Sequence, residues 1–317
     1  MSAITDVPGI RVGHATDPVG LTGCTVVLAD RPAVGGVDLR GWATAVHGLD
    51  FLDPRHLVPT LNGVLLTGGS AFGLEAVFGV MQYLEERGVG FSAGPTVVPH
   101  VAGAVLFDLG VGDPKARPTR AMGYQASQAA RPGPVEEGNV GAGTGATVGK
   151  LFGLPRAMKG GIGSASARLG EVVVGALVAV NALGDVRDPL TGALLAGARD
   201  RADGRALVDT AAALARGAPA PRFTPQHTTL GVVATNARLS KPEATKVAQL
   251  GMLGFARALS PAHTGVDGDT LFCLSVGDAP ADLTPLGLVA AEAVAQAIAR
   301  AVRAAASLPG LPASKDL

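Results

Sequence analysis

The sequence is poor in aromatic residues and cysteine: one tryptophan, 4 % aromatic content and 2 cysteines in 317 residues. Cys24 and Cys273 stand far apart, and neither sits in a Cys-x-x-Cys or Cys/His spacing. That argues against a disulfide framework and a thiolate zinc site, and makes a reducing, cytoplasmic setting the expectation. An excess of one charge is also missing, since 26 Lys and Arg balance 26 Asp and Glu. No overall field therefore favours nucleic acid or an anionic membrane, and the expected partner is a small molecule. Long apolar runs are absent as well. The longest, Val172 to Val180, falls far short of the roughly 20 residues that a spanning helix needs. The first residues, which include Asp6 and Arg11, lack the basic-then-apolar order of a signal peptide. None of the histidines pairs with another at i, i+4, so a histidine-based metal site or triad has little support.

What the sequence does hold is 45 glycines and 22 prolines threaded through apolar segments. Val64-Leu65-Leu66 runs into Gly68-Gly69, and Phe72, Leu74, Val77, Phe78, Met81 and Leu84 then recur at helical spacing. This reads as strand, turn and helix. Val97 to Phe107 reads as extended, and Thr119 to Ala130 as a helix bounded by Pro118 and Pro132. Arg131 to Gly149 is a glycine-dense loop, and Glu171 to Asn181 a core strand. A helix is expected at Arg205 to Arg216, then an exposed proline-rich loop at Gly217 to Gln226. After it come a strand at Thr229 to Ala234, a helix at Pro242 to Leu259, a strand at Thr270 to Val276 and a helix at Pro285 to Ala306. The end, Leu308 to Leu317, reads as a frayed tail. The mixed order implies one α/β domain with a nickable loop near residue 220.

Several motifs invite a chemical reading. The run Gly141 to Lys150 gathers backbone N–H groups beside a lysine, but its spacing fails the P-loop: Thr144 stands where a glycine is required and Leu151 follows the lysine. Gly68 to Gly73 misses the nucleophile elbow, and Ser70 reads as a helix N-cap. Asp267-Gly268-Asp269 lacks the further ligands of a calcium loop. Thr228-Thr229 opens a strand directly after the proline-rich loop. A threonine hydroxyl becomes a nucleophile when a base adjoins it, and one such base is its own α-amine, released if the chain is cut before it.

The blocks Ile4 to His14, Leu66 to Leu74, Gly141 to Lys150, Thr228 to Asn236 and Asp267 to Thr270 resemble, in order, the DmpA-type family. That family comprises self-processing L-aminopeptidase/D-esterases, β-aminopeptidases and nylon-oligomer hydrolases. The resemblance implies an αββα sandwich related to ornithine acetyltransferase, and an N-terminal-nucleophile amide hydrolase needing no metal or organic cofactor. It implies cleavage between His227 and Thr228, giving pieces 1–227 and 228–317. By the same resemblance Thr228 is the nucleophile, with Thr229 a less suitable rival, and Asn181 lies near the oxyanion. Lys150 sits beside the nucleophile, Asp267 and Asp269 orient it and the terminal ammonium, and Tyr124 lines the substrate pocket. The substrate would be a short peptide, an amino-acid amide or an ω- or β-amino-acid oligomer, and the assembly a homo-oligomer, specifically a tetramer of processed units. His227 departs from the Asn or Gly usual before the nucleophile, which bears on the rate of processing. Two alternatives share these residues: an N-acyltransferase, and an unprocessed small-molecule binding protein.

Overall fold

Alternation of apolar residues along the strands builds this architecture. The computed structural model describes residues 2–219 and 227–317. Its main sheet has nine strands: β1 (Ile10–Asp17), β2 (Thr22–Leu39), β3 (Val46–His47), β4 (Leu61–Thr67), β5 (Val101–Val105), β6 (Gly161–Leu169), β7 (Val172–Val180), β8 (Leu230–Ala237) and β9 (Thr270–Ala279). The hydrogen-bonded order is β6-β7-β8-β9-β2-β4-β5-β3, with β1 also on β2. Strand β2 joins two halves. Its first part pairs with β1 and β4, and its last part, from Val34, pairs with β9. The ladder to β4 shifts between Leu28 and Ala33, around Pro32, which has no N–H to donate.

Each half has two faces. Val27, Val64, Leu66 and Ala102 of one half share a core with Leu177, Leu230, Val232, Phe272 and Leu274 of the other, so the halves lie face to face. The intervening residues point outward, as the two-residue period of a strand requires. The helices of six or more residues are α1 (Glu75–Glu85), α2 (Arg120–Ala129), α3 (Thr210–Ala215), α4 (Lys241–Gly251), α5 (Leu253–Ala258) and α6 (Leu283–Ala304). Val26, Leu28 and Leu65 pack against Val77, Val80 and Leu84 of α1 and Ala126 of α2. Val174, Val178, Val233 and Leu271 pack against Val247 of α4, Phe255 of α5 and Val294 and Ile298 of α6. The result is helix, sheet, sheet, helix: an αββα sandwich. Helix α6 is long and apolar enough to cross a membrane by length and composition, yet most of its apolar stretch is buried against β6 and β7.

The structure corrects several local expectations. Ser70 does not cap a helix: Gly69 does, in the left-handed region, and Ser70 itself has φ 53° with its N–H on the Leu106 carbonyl at 3.0 Å. The helix expected at Arg205 to Arg216 shrinks to α3, which Asp209 caps by accepting the Ala212 N–H. The one expected at Pro242 to Leu259 divides at Met252 into α4 and α5. The C-terminal residues are not frayed: Leu311 and Ala313 are buried, and the Pro312 carbonyl accepts the Lys159 N–H at 2.9 Å. Of the proline-rich loop, residues 220–226 lie outside the described residues.

Candidate active site

The ends of β7, β8 and β9 meet at one mouth of the sandwich. Strands β8 and β9 run parallel, and their pairing continues past the strand ends as a bridge between His227 and Asp267. Through that extension the Gly268 N–H donates to the His227 carbonyl at 2.9 Å and the Thr270 N–H to the Thr229 carbonyl at 3.1 Å. On the other side, the Thr228 N–H donates to the Asn181 carbonyl at 2.9 Å, just past the end of β7. The peptide bond between His227 and Thr228 is thus gripped from both flanks. The Thr228 hydroxyl donates to the His227 carbonyl of that same bond.

Gly268 is required here on steric grounds. A Cβ at that position would stand 2.6 Å from Thr228 Oγ1 and 2.6 Å from the Ala43 carbonyl oxygen. The flanking aspartates turn to either side of it. Asp269 accepts the Thr229 N–H at 2.8 Å, the His263 N–H at 3.0 Å and a 2.9 Å hydrogen bond from His263 Nδ1. Asp267 accepts the N–H groups of Leu183 at 3.2 Å and Thr264 at 3.1 Å, and the Thr264 hydroxyl. Burial, then the charge of Asp269, raises the Asp267 carboxyl above the ordinary carboxylate range, while Lys150 opposes that rise. Burial works against a charge on His263, but the hydrogen bond and charge of Asp269 outweigh it, so its pKa is raised. In the intact chain the pair holds the backbone around Thr228, not its hydroxyl.

Lys150 reaches the site from the glycine-dense loop. Its Nζ donates to the Asn181 carbonyl at 3.0 Å and to Asn181 Oδ1 at 2.9 Å. Burial pushes this ammonium down to about 7, and the nearby Lys159 charge pushes the same way against the carboxylates of Asp267 and Asp108. The Asn181 amide is oriented by these donors. Its Oδ1 also accepts the Thr147 N–H at 3.0 Å and hydroxyl at 3.3 Å, which turns Nδ2 toward the Phe107 carbonyl at 3.1 Å. The donors on the His227 carbonyl are the Gly268 N–H and the Thr228 hydroxyl, with Asn181 on the opposite flank.

His227 is buried, and among the described residues neither imidazole nitrogen has a hydrogen-bond partner. Burial, then the Lys150 charge, holds its pKa far below the ordinary value, so the ring is neutral. Thr229 is equally buried and its hydroxyl lacks a partner among the described residues, but its N–H and carbonyl are both locked into the β8/β9 region.

The structure brings together Thr228, Asn181, Lys150, Asp267 and Asp269, with His227 among them. Tyr124 is elsewhere. It sits on α2 in the outer helical layer, its ring edge-on to Tyr83 at 5.7 Å and its hydroxyl donating to Glu86 at 2.6 Å. The helical period turns position 124 toward α1, away from the mouth of the sandwich. Phe107, Thr147 and Lys150 instead border a small cavity of about 10 Å³.

Three contributors had no signal in motif reasoning: Gly268 through its N–H, Phe107 through its carbonyl, and Lys159. Lys159 is fully buried, and its Nζ donates to the carbonyls of Gly143 and Ala146 at 2.8 Å each and of Gly160 at 3.2 Å. It staples the loop from which Thr147 and Lys150 reach Asn181.

A threonine hydroxyl at a strand mouth, set against a carbonyl that a backbone N–H holds and flanked by a buried lysine, within an αββα sandwich, is the arrangement of an amide hydrolase. The chain belongs to peptidase family S58, whose family model matches residues 2–315. It is 42 % identical over 349 residues to an uncharacterized aminopeptidase of Mycobacterium tuberculosis, covering 100 % of this chain and 98 % of that one. It is 31 % identical over 315 residues to a 6-aminohexanoate-oligomer endohydrolase of Kocuria sp., covering 94 % and 85 %. Among solved structures, a Burkholderia sp. β-aminopeptidase is similar with TM-score 0.67 and 25 % identity, covering 96 % of this chain and 87 % of that one. An L-aminopeptidase D-Ala-esterase/amidase of Ochrobactrum anthropi, a variant of the Ntn hydrolase fold, shares the fold with TM-score 0.71 at 21 % identity, covering 96 % and 86 %.

Proposed function

We propose that the chain cuts itself between His227 and Thr228, and that Thr228 then hydrolyses amide bonds of short peptides, amino-acid amides or ω- or β-amino-acid oligomers. The observation that carries this reading is the 2.9 Å hydrogen bond from the Gly268 N–H to the His227 carbonyl, with the Thr228 hydroxyl on the same carbonyl. Thr228 Oγ1 adds to the His227 carbonyl carbon, and the Gly268 N–H holds the oxygen as negative charge develops on it. The C–N bond breaks as the Thr228 nitrogen takes a proton, leaving an ester on Oγ1. Water hydrolyses that ester, frees the His227 carboxylate and restores the hydroxyl.

The new α-amine has an ordinary pKa of about 7.7 to 8.0, suited to exchanging the Oγ1 proton near neutrality. The Asn181 carbonyl, which accepts from both Lys150 and the Thr228 nitrogen, keeps that amine in place. A substrate amide repeats the first step: Oγ1 attacks, the amine passes its proton to the leaving amine, and water clears the acyl-enzyme. The substrate class is supported by the oligomer endohydrolase of Kocuria sp. and the β-aminopeptidase of Burkholderia sp..

Denaturing mass spectrometry of protein purified without protease tests the reading. Two species, 1–227 and 228–317, are expected to co-elute under native conditions, and Thr228→Ala is expected to leave one inactive species of 31.6 kDa. A wild-type chain that stays intact through long incubation, or a cleaved and active Thr228→Ala variant, overturns it.

A further inference from the structure

Behind the small cavity at Lys150 lies a larger one, and the two share a wall. The inner cavity has Phe107, Thr147 and Lys150 on one side and Gly110, Val111 and Leu154 on the other. The last three also line an outer cavity of about 340 Å³, which Leu308, Pro309, Gly310 and Leu311 border as well. The described residues that line this outer space carry only apolar side chains or none.

The outer cavity is built, not incidental. Arg199 is buried behind it, and its Nη2 donates to the Pro155 carbonyl at 2.9 Å and the Gly310 carbonyl at 3.4 Å, so one guanidinium ties two of its walls together. Leu308 and Leu311 exchange backbone hydrogen bonds at 3.0 and 2.9 Å, and the Lys159 N–H anchors Pro312.

The intact chain shows which part of a substrate faces this way. His227 is the acyl partner of Thr228 in self-cleavage, and the Thr228 N–H and Lys150 Nζ share the Asn181 carbonyl at 2.9 and 3.0 Å, which sets the reacting bond beside Lys150. An acyl residue attached to Thr228 therefore starts beside Lys150, at the inner cavity, which shares Gly110, Val111 and Leu154 with the outer one. We infer that the outer cavity is the subsite for the side chain of the acyl residue, and that it selects amides whose acyl residue carries an extended apolar side chain. This rests on Thr228 being the nucleophile.

The test is a series of L-amino-acid 4-nitroanilides, from alanine to 2-aminooctanoate, lengthened one methylene at a time on the processed enzyme. Burying a methylene is worth about fourfold in kcat/KM, so the series is expected to climb by about that factor for each carbon entering the outer cavity. Leu308→Trp, which fills that space, is expected to bring the ratio of the longest to the shortest substrate down toward one. Leu308→Ala is expected to move the optimum to a longer chain, and thermal unfolding establishes that each variant is folded. A flat wild-type series with the alanyl substrate turned over overturns the subsite and leaves the Thr228 reading standing. No turnover of any member by an uncut chain overturns both.

Discussion

His227 carries a cost that no described neighbour offsets. Both imidazole nitrogens are buried without partners among the described residues, and leaving such groups unmade costs about 1–3 kcal/mol. In the uncleavable Thr228→Ala background, His227→Leu is expected to raise stability by about that amount, read from urea denaturation midpoints; an unchanged or lower midpoint refutes the account. Cleavage ends the chain at His227, so the proposed reaction removes the peptide bond that holds the ring in place. At this scale the sequence displayed the side chains of Thr228, Asn181, Lys150, Asp267 and Asp269, which the fold gathers at one mouth. The family resemblance pointed to Tyr124 as a pocket residue, whereas it lies in the outer helical layer, and a tyrosine on a short amphipathic helix gives no sign of which layer it faces. Gly268 and Phe107 were illegible for another reason: they act through backbone N–H and carbonyl groups, which every residue owns.

At the level of elements, the parallel pair β8 and β9 sets the geometry. Their register places the Asp267-Gly268-Asp269 turn alongside the His227–Thr228 bond, and only a residue without a Cβ leaves room for the Thr228 hydroxyl. Gly268→Ala is therefore expected to slow self-cleavage by about a hundredfold, the scale of a misplacement of about 1 Å at a reacting centre. The half-time of fragment appearance on denaturing gels measures this, and an unchanged half-time removes Gly268 from the mechanism. The strands β4, β5, β7, β8 and β9 were legible as apolar runs. Strands β1, β2 and β6 were not. Strand β2 contains Arg31-Pro32 and Gly35-Gly36, and β6 is made largely of glycine, alanine and serine, so their strand character comes from pairing with neighbours instead of from intrinsic preference.

For the molecule as a whole, burial of two lysines makes stability depend on pH. Lys150 and Lys159 are both pushed from 10.5 down to about 7, mainly by burial. Between about pH 7 and 9 the unfolded chain keeps protons that the folded lysines have released, Lys159 then keeping two of its three carbonyl bonds, so stability rises with pH. The slope approaches about 1.4 kcal/mol per pH unit for each deprotonated lysine. His263, with its raised pKa, opposes this at the lower edge, and the buried cysteines, raised from 9.0 to about 12, oppose it above pH 9. Urea denaturation of the intact Thr228→Ala chain across this window is expected to show the rise, and Lys159→Met to remove about half of it. A flat or falling profile contradicts the burial of neutral lysines. The same layering explains why cleaved pieces would stay together: β8 lies between β7 and β9, and β9 pairs with β2, so strands from either side of the cut interleave in one sheet.

The sequence by itself determined the alternation of strands and helices, the placing of Thr228 at a strand mouth and the family likeness, because periodicity and motif order are written in consecutive residues. Tertiary structure alone decided that β2 spans both halves of the sandwich, that the C-terminal residues line a cavity and that Lys159 staples the loop carrying Lys150. Each of these joins positions far apart in the chain, through backbone groups or buried charges whose partners are fixed only when the layers pack.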